Sequence, residues 1–121
     1  MSGNWRDQYD AHATNESDQY MKMPLDQLIK KFKSGKLGDY RVIWSALGER
    51  AALKDVGWDL YDFLCSEHEY LDRYNCARAL LKLMNSQAFE PVDISAKRGD
   101  NLGNNLKKLK IMLEEKIGPR K

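Results

Sequence analysis

Cys65 and His68 are the residues whose types and spacing come nearest to a reactive pair. Three apart, they fall on one side of a helix end, and an imidazole beside a thiol can activate it as a thiolate nucleophile. Two features weigh against that use. Cys65 follows Leu64 in an apolar stripe, and Ser66 with Glu69 makes a capping-box pattern that bends the chain between the pair. Glu67, His68 and Glu69 are adjacent but too few to build a structural zinc site. His12 sits in a polar stretch and reads as solvated. No glycine-rich phosphate loop, zinc ligand set or nucleophile elbow occurs. The residues therefore predict no catalytic centre, metal site or cofactor, and the chain is read as a non-enzyme.

A second set has the chemistry to hold phosphate. Lys97, Arg98, Lys107, Lys108 and Lys110 lie in a segment, 97–121, with eight basic and three acidic groups, or +5. Residues 1–23 carry −2 and residues 24–96 carry −1, so the overall charge is only +2. That is too little to imply a polyanionic partner by itself. Aromatic side chains that would stack on bases are missing around this set. A solvated helix face is the plainer reading, and nucleic-acid binding is the alternative function.

The elements that would position these groups are helices. With 121 residues, 42% hydrophobic and 31% charged, the chain can bury a core. The start of the chain has no signal-peptide pattern, and no apolar run approaches membrane-spanning length. Cys65 and Cys76 both fall among apolar neighbours, where a thiol acts as a small hydrophobe. A reducing, cytoplasmic setting follows as the expectation.

Residues 1–22 lack a sustained period and predict an irregular polar arm, with Trp5 and Tyr9 available to dock on a single helical domain over 23–118. A first helix is expected over about 24–33, started by Pro24 and stopped by Gly35, with Leu25, Leu28, Ile29 and Phe32 on one face. A second follows Asp39 with Tyr40, Ile43, Trp44 and Leu47, continuing past Gly48 through Ala51, Ala52 and Leu53. A third follows Asp55 with Val56, Leu60, Phe63 and Leu64, and Trp58 at the stripe's edge is a candidate interface anchor.

The fourth, about 69–85, is apolar around much of its circumference and is the expected centre of the core. Its main face is Tyr74, Ala77, Leu80, Leu81 and Met84, with Leu71, Cys76 and Leu83 beside it. A long loop over 86–99 is pinned by Phe89, Val92 and Ile94. The last helix follows Asp100 with Leu102, Leu106, Leu109, Leu113 and Ile117 inward, and Gly118 with Pro119 ends it. No segment reads as a strand, so the fold class is all-α with about five helices.

Two runs match in outline at a spacing of 33 residues: Asp39, Ala46 and Leu47 against Asp72, Ala79 and Leu80, each with an arginine, Arg41 or Arg73, within two residues of its Asp. In this form they resemble the second helices of HEAT-like repeats, in which an Asp and an Arg precede an Ala-rich helix ending in Ala-Leu. The first helices would be 24–33 and 56–66, with Leu28 and Phe32 loosely matching Leu60 and Leu64. The resemblance covers about 24–85. It implies two helical hairpins with the C-terminal helix as a cap, and a plain helical bundle is the alternative architecture.

What the resemblance implies for function is protein binding without catalysis. Second helices of such repeats face a concave groove suited to another protein's peptide or lobe. Arg41, Ser45 and Glu49 then correspond to Tyr74, Arg78 and Lys82, and Arg41, Glu49, Arg78 and Lys82 are the expected groove residues. An adaptor, or an inhibitor such as an immunity protein for a toxin, is a role small domains of this sort fill.

Overall fold

The computed structural model describes residues 16, 18–35, 42–96 and 101–120. Among these the chain is all-α, with no strand. It forms two compact units, Met1–Arg50 and Ala51–Lys121. Among the described residues, no helix is long and apolar enough to cross a membrane.

In the first unit, α1 spans Leu25–Lys33 and α2 spans Ile43–Arg50. Pro24 stands at the N-cap of α1 rather than inside it, and its carbonyl accepts the Leu28 N–H at 3.1 Å. At the other end Gly35 takes φ +81°, the left-handed turn that suits glycine, and donates to the Phe32 carbonyl. Lys30, Lys31 and Lys33 lie in the last turn, where cations favour the helix dipole. Leu28 and Phe32 bury against α2, and the Phe32 ring meets Trp44 edge-on at 5.6 Å.

The polar arm is not irregular throughout: residues 18–22 are helical and Tyr20 is buried. The Arg50 guanidinium donates to the carbonyls of Tyr20 and Met23, at 2.5 and 2.6 Å. Those carbonyls end the short helical segment, so one cation satisfies acceptors that a helix end leaves open. Trp5, Tyr9 and His12 lie outside the described residues, as do Asp39, Tyr40 and Arg41.

The second helix does not run on through the alanines. It stops at Arg50, Ala52 is extended (φ −95°, ψ 146°), and α3 begins at Leu53 and ends at Cys65. Alanine favours a helix locally, but propensity is a weak term that tertiary packing overrides. Asp55 is consequently inside the first turn of α3, not its cap.

The second unit is built on α3 and on α4, Tyr70–Met84. These two pack on each other, a 3-10 turn at Pro91–Ile94 packs on α4, and α5, Asn101–Ile117, packs on α3 and on that turn. Val56, Leu60 and Leu64 of α3, Cys76, Ala77, Leu80 and Met84 of α4, Ile94, and Leu109 and Leu113 of α5 form the core. Each large apolar side chain among them contributes about 1.5–3 kcal/mol on burial. Gly57 lets α5 come close to α3, since a Cβ there would lie 3.0 Å from the Ile117 Cδ1.

Several local expectations need correction. Ser66 does not cap α4. Its hydroxyl turns back to the Asp62 carbonyl at 2.8 Å, and the N-cap position of α4 is Glu69, which makes no side-chain cap bond. Ser66 is still the C-cap of α3, and three further non-helical residues intervene before the next helix. Leu71 is 64% exposed rather than beside the buried face, and Tyr74 is half-buried. In the 86–99 loop Ile94 is buried, Phe89 is half-buried and Val92 is exposed. That loop also contains a capping box the sequence reading overlooked, Glu90 with Asp93, whose carboxylate accepts the Glu90 N–H at 2.9 Å.

Candidate functional site

The buried face of α4 continues one turn further toward its start than the apolar residues alone suggest. Arg73 is 3% exposed and stands in helical register with Cys76, Ala77, Leu80 and Met84. Its Nε donates to the Ser95 carbonyl at 3.0 Å, and its guanidinium also donates to the Ser66 carbonyl at 2.7 Å. One guanidinium thus ties the end of α3 to the end of the 3-10 turn, both places where backbone acceptors lack helical partners. Asp72 beside it is also buried. Sequence reading noticed this pair as a repeat motif and missed its structural work. The available signal was a cation at i−3 and i−4 from Cys76 and Ala77, on the core stripe.

With the acidic residue of α4 buried, its outer face is cationic and apolar. Arg78 and Lys82 are exposed and four residues apart, so they stand one turn above each other. Toward the start of the helix the same side carries Tyr70, 51% exposed, Leu71, and Tyr74, with the two tyrosine rings 6.1 Å apart. In the first unit, Ser45 and Glu49 are the exposed positions of α2.

These exposures fall in one register. Ile43, Trp44, Ala46, Leu47 and Gly48 are buried around exposed Ser45 and Glu49. Thirty-three positions on (about one repeat length), Cys76, Ala77, Ala79, Leu80 and Leu81 are buried around exposed Arg78 and Lys82. Leu28 and Phe32 of α1 are buried, as are Leu60 and Leu64 of α3. Arg41 of the expected groove set lies outside the described residues, and Glu49 belongs to a different unit from Arg78 and Lys82.

Of the basic set, Lys107, Lys108 and Lys110 are exposed on α5, while Lys97 and Arg98 lie outside the described residues. Ile111, 57% exposed, and the acidic Glu114 and Glu115 share the solvent side of the helix with the lysines.

The cysteines separate. Cys76 is fully buried and its thiol donates to the Leu60 carbonyl at 3.3 Å. Burial pushes that thiol well above its ordinary pKa, which suits packing and opposes nucleophilic chemistry. Cys65 is exposed, contrary to its expected place among apolar neighbours. His68 does not turn toward a thiol; its ring stacks flat on Phe63, with centroids 3.6 Å apart and planes 3° from parallel. Tyr61 is pushed up to about 12, first by burial and then by its hydrogen bond with Cys65. Nearby, Arg120 forms a two-pronged pair with Asp62, and that pairing raises the guanidinium pKa further. Among the described residues no group of three or more His, Cys, Asp or Glu side chains is placed to hold a metal.

Comparison with protein-family models, curated proteins and solved structures finds no match.

Proposed function

We propose that the chain is a non-catalytic protein-binding module built from two short HEAT-like hairpins, with exposed second-helix residues as its contacts. The observation that carries this reading is the outer face of α4, where Tyr70, Leu71, Tyr74, Arg78 and Lys82 occupy one side of a rigid helix. Tyrosine and arginine are the residue types that dominate binding interfaces, and a well-anchored helix presents them with little ordering cost. The repeated burial pattern at 33 residues supports the hairpin reading and gives Glu49 the matching role on α2. Arg41 is included by the same register. A reducing, cytoplasmic compartment suits the free thiols.

Affinity capture from lysate of the source organism, comparing wild type with an Arg78→Glu, Lys82→Glu variant, tests the reading. One protein held by wild type and lost by the variant is the expected result. Equal retention by both would remove Arg78 and Lys82 from the contact set. The exposed Lys107, Lys108 and Lys110 support nucleic-acid binding as a second reading. It requires recovered nucleic acid that nuclease removes and an affinity that falls steeply with salt.

A further inference from the structure

We propose that the outer face of α5 pairs two copies of this chain, antiparallel, about a twofold axis at Ile111. The inference is independent of the α4 contact face and concerns a different helix.

Spacing along the helix sets the geometry. Lys107 and Lys108 stand four and three residues before Ile111, and Glu114 and Glu115 stand three and four residues after it. Residues at those offsets share one helix face, and all five are exposed, Ile111 at 57%. Lys107 and Glu114 are two turns apart and lie on one flank of Ile111, while Lys108 and Glu115 lie on the other. In an isologous pair each patch meets itself reversed end for end. Lys107 then faces the partner's Glu114 and Lys108 faces the partner's Glu115. Symmetry forms both pairs twice, with the two isoleucines touching at the axis. A parallel pairing would set lysine on lysine instead.

The surroundings leave this pattern intact. α5 packs on α3 and on the 3-10 turn, and its buried side chains are Leu109 and Leu113, on the side away from Ile111. Of the charged groups on those two elements, Asp62 is held by Arg120 and Asp93 accepts the Glu90 N–H. Asp59 has its own interactions in the chain, and Lys54 and Asp55 are adjacent and opposite in sign. Lys110 lies about 100° round the helix from Ile111, outside the seam. Among the described residues, Lys107, Lys108, Glu114 and Glu115 form no ion pair. Two lysines and two glutamates sum to zero, so a second copy meets no net repulsion there.

The order of these charges is not one that helix stability selects. A helix favours carboxylates in its first turn and cations in its last. Glu114 and Glu115 instead stand in the last turn of α5, beside Lys116. A second copy supplies the ammonium groups that their own helix does not place against them. Two glutamates on the same face also oppose phosphate binding by these lysines. One helix face is smaller than a standard interface, so the pair is weak and forms at about 0.1–1 mM.

Sedimentation velocity of the full chain, from about 10 μM to 1 mM, reads the pairing. Wild type should pass from monomer toward dimer, with concentration-dependent amide shifts in 15N NMR centred on residues 107–115. Lys107→Glu with Lys108→Glu, and separately Glu114→Lys with Glu115→Lys, should each self-associate at least about tenfold more weakly, since exposed ion pairs become repulsions. Mixed one to one, the two variants should associate at least as tightly as wild type. Ile111→Ser should also weaken the dimer, and circular dichroism checks that every variant keeps its helices.

A wild type that stays monomeric at 1 mM would overturn the proposal. So would a dimer that the charge reversals leave unchanged, folded variants that do not associate when mixed, or shifts centred away from α5. A poly-dT oligonucleotide that moves the same amides at lower concentration than self-association does would assign the lysines to nucleic acid and overturn it equally.

Discussion

Replacing Arg73 with methionine is the most informative single perturbation of the fold. The side chain is buried and its guanidinium serves two backbone carbonyls, Ser95 at 3.0 Å and Ser66 at 2.7 Å. Methionine fills similar space without a donor, so both acceptors lose their partner, and Asp72 beside it loses a neighbouring positive charge. Hydrogen bonds to charged groups contribute about 1.5–3 kcal/mol each, and removing one side of a buried polar arrangement costs about 3–5 kcal/mol. Arg73→Met is therefore expected to destabilise by about 4 kcal/mol. At a urea dependence of about 1.5 kcal/mol/M, the midpoint falls by roughly 2–3 M, read by circular dichroism at equilibrium. Arg73→Lys separates charge from geometry. Its ammonium retains the charge, but it lacks the rigid fork that reaches two separate carbonyls, so it should still lose at least about 2 kcal/mol. A loss below about 1 kcal/mol for methionine, or a lysine variant as stable as wild type, would refute the clamp.

Three further outcomes follow from the same packing. Cys65 should react with a thiol reagent in the folded protein and Cys76 only after unfolding, because Cys76 is fully buried with its thiol held protonated; two rapid equivalents would contradict this. Gly57→Val should cost about 1–3 kcal/mol by overpacking against Ile117 and Leu53, while Gly103→Ala, with open space around its Cβ, should gain about 0.5–1 kcal/mol of helix stability. Urea midpoints moving the other way would show that the α3–α5 approach is misplaced. Tyr61, pushed up to about 12, keeps its proton where the unfolded chain loses it near 10. Stability should then fall as pH rises from about 10 through 12, and Tyr61→Phe should flatten that fall in pH-dependent urea unfolding.

The helices were legible where a face repeats at helical spacing and a strong stop follows. Leu28 and Phe32 before Gly35, and Leu109 and Leu113 before Gly118 at φ +81°, are such cases. The break at Ala51 and Ala52 was not legible, because alanine carries no stop signal. The Ser66 to Glu69 box misled for a related reason: the hydroxyl found an acceptor, Asp62, in the helix it was leaving. Arg78, Lys82 and Glu49, expected as groove residues, are exposed. Leu71 was placed beside the buried face because a hydrophobic type was equated with the core, and it is exposed. Arg73 was missed for the mirror reason, since a cation was not looked for inside.

The end of α5 holds a consequence for how the chain is made. Ile117 packs close to Gly57, and Arg120, two residues past the Gly118 stop, pairs with Asp62 in the last turn of α3. During vectorial synthesis the first unit can mature as soon as Arg50 is clear of the ribosome. The second must wait with α3 and α4 already outside and the cap they need still inside the tunnel. Nascent chains whose α5 has not emerged would therefore expose Val56 and Leu60 to chaperones, and chains with α5 clear of the ribosome would shed them.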